Sequence, residues 1–217
     1  MNTINECYNL IILDKSGSMQ SIRQAAITGV IETMGTIRAA EKKTGIKQYV
    51  TLAAFCGCGI SYILENAPVE KAESINPRLY EPCCMTPLYD AIGNCCTKMK
   101  KQLAGRNDVT VSVTIITDGY ENASTEFSAT AVKSLIEMLK ADGWLIAYIG
   151  ANQDVQQAKY DLSIDNVMDF SADEDGVKDM FRKERKARLR YMNEMASPTC
   201  CNLSSSRTKY FDNLDDE

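Results

Sequence analysis

Tyr8-Asn9-Leu10-Ile11-Ile12-Leu13-Asp14-Lys15-Ser16-Gly17-Ser18-Met19 is the stretch that decides the fold. Tyr8 to Leu13 is an apolar run interrupted only by Asn9 and ended by a polar turn, the pattern of a strand covered on both faces. Strands of that kind belong to parallel sheets, whose binding crevice lies beyond the carboxyl ends of the strands. Asp14 stands at such an end.

Downstream, Ile22, Ala26, Gly29/Val30, Thr33, Ile37 and Ala40 recur at three and four residues, predicting an amphipathic helix that closes near Thr44-Gly45. Tyr49 to Cys56 and Ile60 to Leu64 read as strands. The Gly57-Cys58-Gly59 link between them is short enough to allow only an antiparallel hairpin. Residues 65 to 82, with Pro68, Pro77 and Pro82, read as a long loop. Leu88, Ile92, Cys95/Cys96, Met99 and Leu103 keep helical spacing, which sets Cys95 and Cys96 on a buried face.

Val109 to Thr117 is the next strand. Ser124 or Thr125 can cap a helix carrying Phe127, Ala131, Leu135 and Met138/Leu139, stopped by Asp142-Gly143. Trp144 to Gly150 reads as a strand, Asp154 to Leu162 as a short helix and Val167 to Phe170 as a strand. A last helix starts near Asp173 and buries Val177, Met180 and Phe181; beyond Arg182 its apolar stripe thins to Leu189, Tyr191, Met192 and Met195. This alternation predicts an α/β three-layer sandwich: a mainly parallel central sheet of about six strands with one antiparallel edge hairpin, and helices on both faces. Residues 1–195 form the domain, and 196–217, ending in Asp212-Asn213-Leu214-Asp215-Asp216-Glu217, a mobile acidic tail.

Composition narrows the function. The 217 residues are 45% apolar and 24% charged, ordinary globular values, and the net charge of −5 argues against a general nucleic-acid binder. Arg182, Lys183, Arg185, Lys186, Arg188 and Arg190 concentrate positive charge near the C-terminus, and read as a solvated helix face. Met1 to Glu6 carries no basic n-region or small-residue cleavage site, and no apolar run approaches the ~20 residues of a membrane span. A cytoplasmic protein is expected. Nine cysteines, an odd number without a signal sequence, read as reduced thiols; the chain has no histidine and no Cys-x₂-Cys knuckle of the kind that holds zinc.

Three segments carry the chemistry: Asp14-Lys15-Ser16-Gly17-Ser18, Thr86-Pro87-Leu88-Tyr89-Asp90-Ala91 and Thr117-Asp118-Gly119. Their order and spacing resemble the metal-ion-dependent adhesion site of von Willebrand factor A (vWA) domains, over residues 6 to 172 and into the following helix. The resemblance implies a vWA, Rossmann-like fold. It also implies that Asp14, Ser16, Ser18, Thr86 and Asp118 hold one Mg²⁺ or Mn²⁺. Hard oxygen donors suit such an ion, which takes six ligands in a near-octahedral array. Two carboxylates only neutralise a divalent cation, so an anionic sixth ligand is favoured, and a partner's Asp or Glu fits. Asp90 reads as a supporting or capping group.

The expected function is therefore non-enzymatic: Mg²⁺-dependent binding of a protein partner. Stand-alone cytosolic proteins that look like this in bacteria serve as adaptors for AAA+ ATPases or in stress systems resembling tellurite resistance. A metal-dependent hydrolase or phosphoryl-transfer enzyme is the alternative, disfavoured because the chain has no histidine to act as base, no phosphate-binding Gly-x-x-x-x-Gly-Lys loop and no second acid beside Asp14. One departure from the family is visible. Where its members carry glycine before the threonine, this chain has Cys83-Cys84-Met85, which restricts the backbone there and suggests a thiol-regulated adaptor in which oxidation of Cys83 or Cys84 displaces Thr86.

Overall fold

The computed structural model describes residues 4–70, 72, 76–151, 155–196, 203–212 and 214. The strands are β1 (Glu6–Asp14), β2 (Lys47–Cys56), β3 (Gly59–Pro68), β4 (Val109–Thr117), β5 (Leu145–Ala151) and β6 (Asn166–Phe170). They form one sheet in the order β3-β2-β1-β4-β5-β6, parallel except for the β2–β3 hairpin. The helices are α1 (Arg23–Thr44), α2 (Leu88–Gln102), α3 (Ala129–Ala141), α4 (Val155–Leu162), α5 (Glu174–Met195) and α6 (Leu203–Thr208), with a 3₁₀ turn at Gly17–Ile22 ahead of α1. The expected six-stranded, mainly parallel α/β sandwich is the observed one.

β1 shows why. Cys7, Ile11 and Leu13 face a core shared with α1 and α5, while Tyr8, Leu10 and Ile12 face a second core shared with α2 and α3. Successive residues point to opposite faces, and both faces are covered, so the strand must be apolar throughout. Asn9 breaks the run for a reason given below. Chain order reverses between β1 and β4, the neighbours at the centre of the sheet, so the crevice falls where Asp14 and Asp118 emerge.

On one face α1 and α5 pack so closely that a Cβ added at Gly29 would collide with the Phe181 ring. Gly29→Ala is expected to cost about 1–3 kcal/mol through forced movement of that ring. A lowered urea midpoint with an unchanged slope would show it; an unchanged midpoint would mean that the two helices separate freely.

The structure departs from the sequence reading in four places. β3 continues to Pro68 through an irregular register and a positive φ at Asn66, so the expected loop begins later. α3 is capped by Ser128, whose side chain accepts from the Ala131 amide, and not by Ser124 or Thr125. The basic face of α5 is not uniformly solvated: Arg188 is fully buried, because Glu184 and polar groups of the sheet surround it. In the segment expected to be a mobile tail, residues 203–208 are helical, and Tyr210 and Leu214 are buried. Arg190 donates to the carbonyls of Lys209, Tyr210 and Asp212, and Asn166 accepts from the Tyr210 amide, which fastens this stretch to α5 and β6. Asp154, Pro198, Cys200, Cys201 and the final three acids lie outside the described residues.

Candidate metal centre

Asp14 is fully buried at the end of β1. Its Oδ1 accepts from the Ser16 amide at 2.6 Å, closing a turn that aims the Ser16 and Ser18 hydroxyls the same way. Its Oδ2 accepts from the Thr117 hydroxyl at 2.6 Å, and its backbone carbonyl accepts from the buried Tyr80 hydroxyl. Ser16 Oγ lies 3.1 Å from Ser18 Oγ, and Ser18 Oγ donates to Asp118 Oδ1 at 2.6 Å. Thr86 completes the set: a Cβ added at Gly119 would stand 3.3 Å from Thr86 Oγ1 and 3.6 Å from Ser18 Oγ. Any side chain at 119 would crowd these hydroxyls.

All five predicted residues therefore come together at the carboxyl ends of β1 and β4. Burial raises the Asp14 carboxyl above its ordinary range against hydrogen bonds from Thr117 and Ser16 that lower it, and the nearby Asp118 charge adds to the rise. Burial likewise raises Asp118, opposed by the Ser18 hydroxyl. Two buried acids that resist ionising together, ringed by neutral hydroxyls, are the donor set a hard divalent cation would relieve. The residues fit the ion that their pattern implies.

Asp90 has the contacts of a capping group. Its carboxylate accepts from the amides of Thr125, Glu126 and Phe127 at 2.7 to 2.9 Å. Sequence reading missed the residues that hold the loops together. Glu121 accepts from Ala123 and Ser124 and also caps α2 through the Tyr89 amide, while Ser124 Oγ takes the Asp90 amide. Asn122 accepts from the Thr86 amide at 2.8 Å and returns its own amide to the Thr86 carbonyl at 3.2 Å. Thr117 stood in a quoted motif and could have been found. Tyr80, Glu121 and Asn122 carry no periodic signal.

Cys84 occupies the glycine-favouring place before the threonine, and it adopts φ +61°, a left-handed conformation that costs a non-glycine residue about 1–2 kcal/mol.

No protein-family model and no curated protein matches the chain. Solved structures do. The pilus adhesin SpaC from Lactobacillus rhamnosus GG superposes with a TM-score of 0.65 at 14% identity, over 88% of this chain and 31% of that one. Proximal thread matrix protein 1 from the mussel byssus, with a zinc-occupied MIDAS motif, gives 0.60 at 13% identity, over 87% and 47%. The manganese-loaded TRAP protein of Plasmodium vivax gives 0.51 at 17% identity, over 81% and 72%. The chain thus spans less than half the length of the adhesin and of the byssus protein. At such identities the likeness establishes the fold, which is that of a vWA domain.

Proposed function

We propose that this chain is a Mg²⁺-dependent protein-interaction module, in which Asp14, Ser16, Ser18, Thr86 and Asp118 hold a Mg²⁺ or Mn²⁺ whose remaining ligand is an Asp or Glu of a partner. The convergence of these five residues at the sheet's switch point carries the reading. The manganese and zinc held by two structural neighbours support a divalent cation here. The surroundings support a protein partner: Met85 and Tyr120 are 56% and 61% exposed, on the segments that bear Thr86 and Asp118. Exposed apolar groups beside a polar centre are placed where a partner's apolar atoms could pack around the carboxylate contact.

We read the module as non-enzymatic, since both carboxylates would be taken up as metal ligands and the chain has no histidine to act as base. A bacterial cytoplasmic setting, as an adaptor for an AAA+ ATPase or a stress-response protein of the tellurite-resistance-like type, rests on the sequence resemblance. The seven described cysteines are free, which suits a reducing compartment. Among the described residues, no helix is long and apolar enough to cross a membrane.

The test is capture with immobilised protein in Mg²⁺, in EDTA, with Asp118→Ala and with Met85→Ala/Tyr120→Ala. A partner held only by the metal-loaded wild type, and weakened about 10-fold or more by the apolar pair, is expected. A partner retained equally in EDTA would overturn the reading.

A further inference from the structure

Beside the proposed oxygen site, three cysteine sulfurs cluster on the neighbouring loops and a fourth lies against one of them. Cys56 ends β2, Cys58 lies in the hairpin turn, and Cys83 and Cys84 lead into Thr86. Sγ of Cys56 is 3.4 Å from that of Cys83, Cys58 is 3.9 Å from Cys83, and Cys58 is 3.1 Å from Cys84. The sulfurs of Cys56, Cys58 and Cys83 all lie within 4.8 Å of one another, and Cys84 joins this trio through Cys58. A Zn–S bond of 2.3 Å sets the sulfurs of a tetrahedral site about 3.8 Å apart. The measured separations bracket that edge.

We propose that Cys56, Cys58, Cys83 and Cys84 form a tetrahedral thiolate site for zinc that fastens the β2–β3 turn to the loop carrying Thr86.

The backbone already brings the two segments into register. The Gly57 amide donates to the Met85 carbonyl at 2.9 Å across them, while bonds from the Cys83 amide to the Lys15 carbonyl at 2.9 Å and from the Gly17 amide to the Cys84 carbonyl at 3.1 Å hold the cysteine loop to the turn after β1. A Cβ at Gly57 would sit 3.2 Å from the Cβ of Cys84, so the turn's glycine is what lets the two pairs of cysteines approach. The left-handed backbone of Cys84 is a second indication: glycine would adopt it freely, and a strained non-glycine residue of this kind calls for a reason, which ligand sites often supply.

Packing does not supply that reason. Cys58 and Cys84 are exposed, so their sulfurs contribute little to a core, whereas Cys95 and Cys96 are buried in one. The graded exposure, from buried Cys56 to open Cys58, leaves a path for the ion. Cys-x-Cys and Cys-Cys spacings are not zinc knuckles; here the fold gathers Cys56, Cys58 and Cys83, and the exposed Cys84 beside Cys58 would supply the fourth thiolate. The two sites sort ions by chemistry: thiolates favour zinc, while hydroxyls and carboxylates favour Mg²⁺ or Mn²⁺. As zinc binds, each ligating thiol gives its proton to solvent.

The site is tested by metal analysis and by cobalt substitution of the full chain, purified reduced and air-free. One zinc per chain is expected, retained in Asp118→Ala and in Cys95→Ser, and lost in Cys58→Ser/Cys84→Ser. Retention in Asp118→Ala separates this ion from one in the oxygen site, so either proposal can fail alone. Should the double serine variant fail to fold, Co²⁺ added to the metal-free wild type gives an independent reading: thiolate-to-cobalt charge transfer with the intense visible bands of a tetrahedral centre. Only the weak bands of an oxygen-ligated ion, zinc unaffected by the cysteine changes, or a Cys58–Cys84 disulfide in the native reduced preparation would each overturn the proposal.

Discussion

Asp118→Ala is expected to weaken Mn²⁺ binding by more than about 100-fold, beyond the loss that follows when a group merely supporting a metal ligand is removed. In the proposed site Asp118 would supply one of two negative charges among otherwise neutral hydroxyl donors, so its removal would leave a net positive ion. The same change should not harm the metal-free fold. Burial holds Asp14 and Asp118 above the ordinary carboxylate range, so ionising them in the absence of metal opposes folding. For carboxyls shifted in this direction, stability falls as pH rises through the raised values, because the unfolded chain gives up its protons first. Metal-free Asp118→Ala should therefore be at least as stable as metal-free wild type at neutral pH. Mg²⁺ should raise the wild-type melting temperature at neutral pH and lose that effect once acid protonates both groups. Isothermal titration with Mn²⁺ and thermal melts with and without EDTA check both parts; equal Mn²⁺ affinity in the variant would remove Asp118 from the site.

The largest stability effect is expected at Arg188, which is 1% exposed. Its Nε donates to Glu184 Oε1 at 2.8 Å, Nη1 to Asn9 Oδ1 at 2.7 Å and Nη2 to Thr114 Oγ1 at 2.8 Å, while Tyr210 donates to the same glutamate oxygen at 3.2 Å. This is why β1 tolerates Asn9 in its apolar run. Arg188→Ala strands a buried carboxylate and should cost about 3–5 kcal/mol. For a chain of this size that lowers the melting temperature by roughly 10 °C. Glu184→Leu/Arg188→Met should recover most of the loss, since a packed apolar pair can replace a buried ion pair. A loss under about 1 kcal/mol in Arg188→Ala would place the pair in water instead.

These two sites mark what a sequence does and does not disclose. That Asp14, Ser16, Ser18, Thr86 and Asp118 lie together was legible because each belongs to a short motif tied to the end of a strand or the start of a helix, and periodicity locates those ends. Arg188 was misread because other basic residues of the row, such as Arg182, Lys183 and Arg185, keep part of their side chains in solvent, and only the partner strands reveal that one basic position points inward. Asn9 looked like a blemish in β1 for the same reason. The four cysteines are separated by a hairpin and a long loop, so no spacing rule joins them. Ser124 looked like a cap because it precedes a helix, yet Asp90 had claimed the loop around it, and α3 begins at the next serine. In each case the missing information was a contact between elements far apart in the chain.

The reciprocal pairing of Asn122 with Thr86, together with Glu121 and Asp90 bridging the β4–α3 loop to α2, has a thermodynamic meaning for the metal centre. The loops that bear Thr86 and Asp118 are ordered when the chain folds, so little conformational entropy is left to lose when an ion arrives. Preorganisation of this kind makes affinity a matter of exchanging the ion's water for fixed oxygens. A partner carboxylate would then replace solvent on a scaffold already in its bound shape.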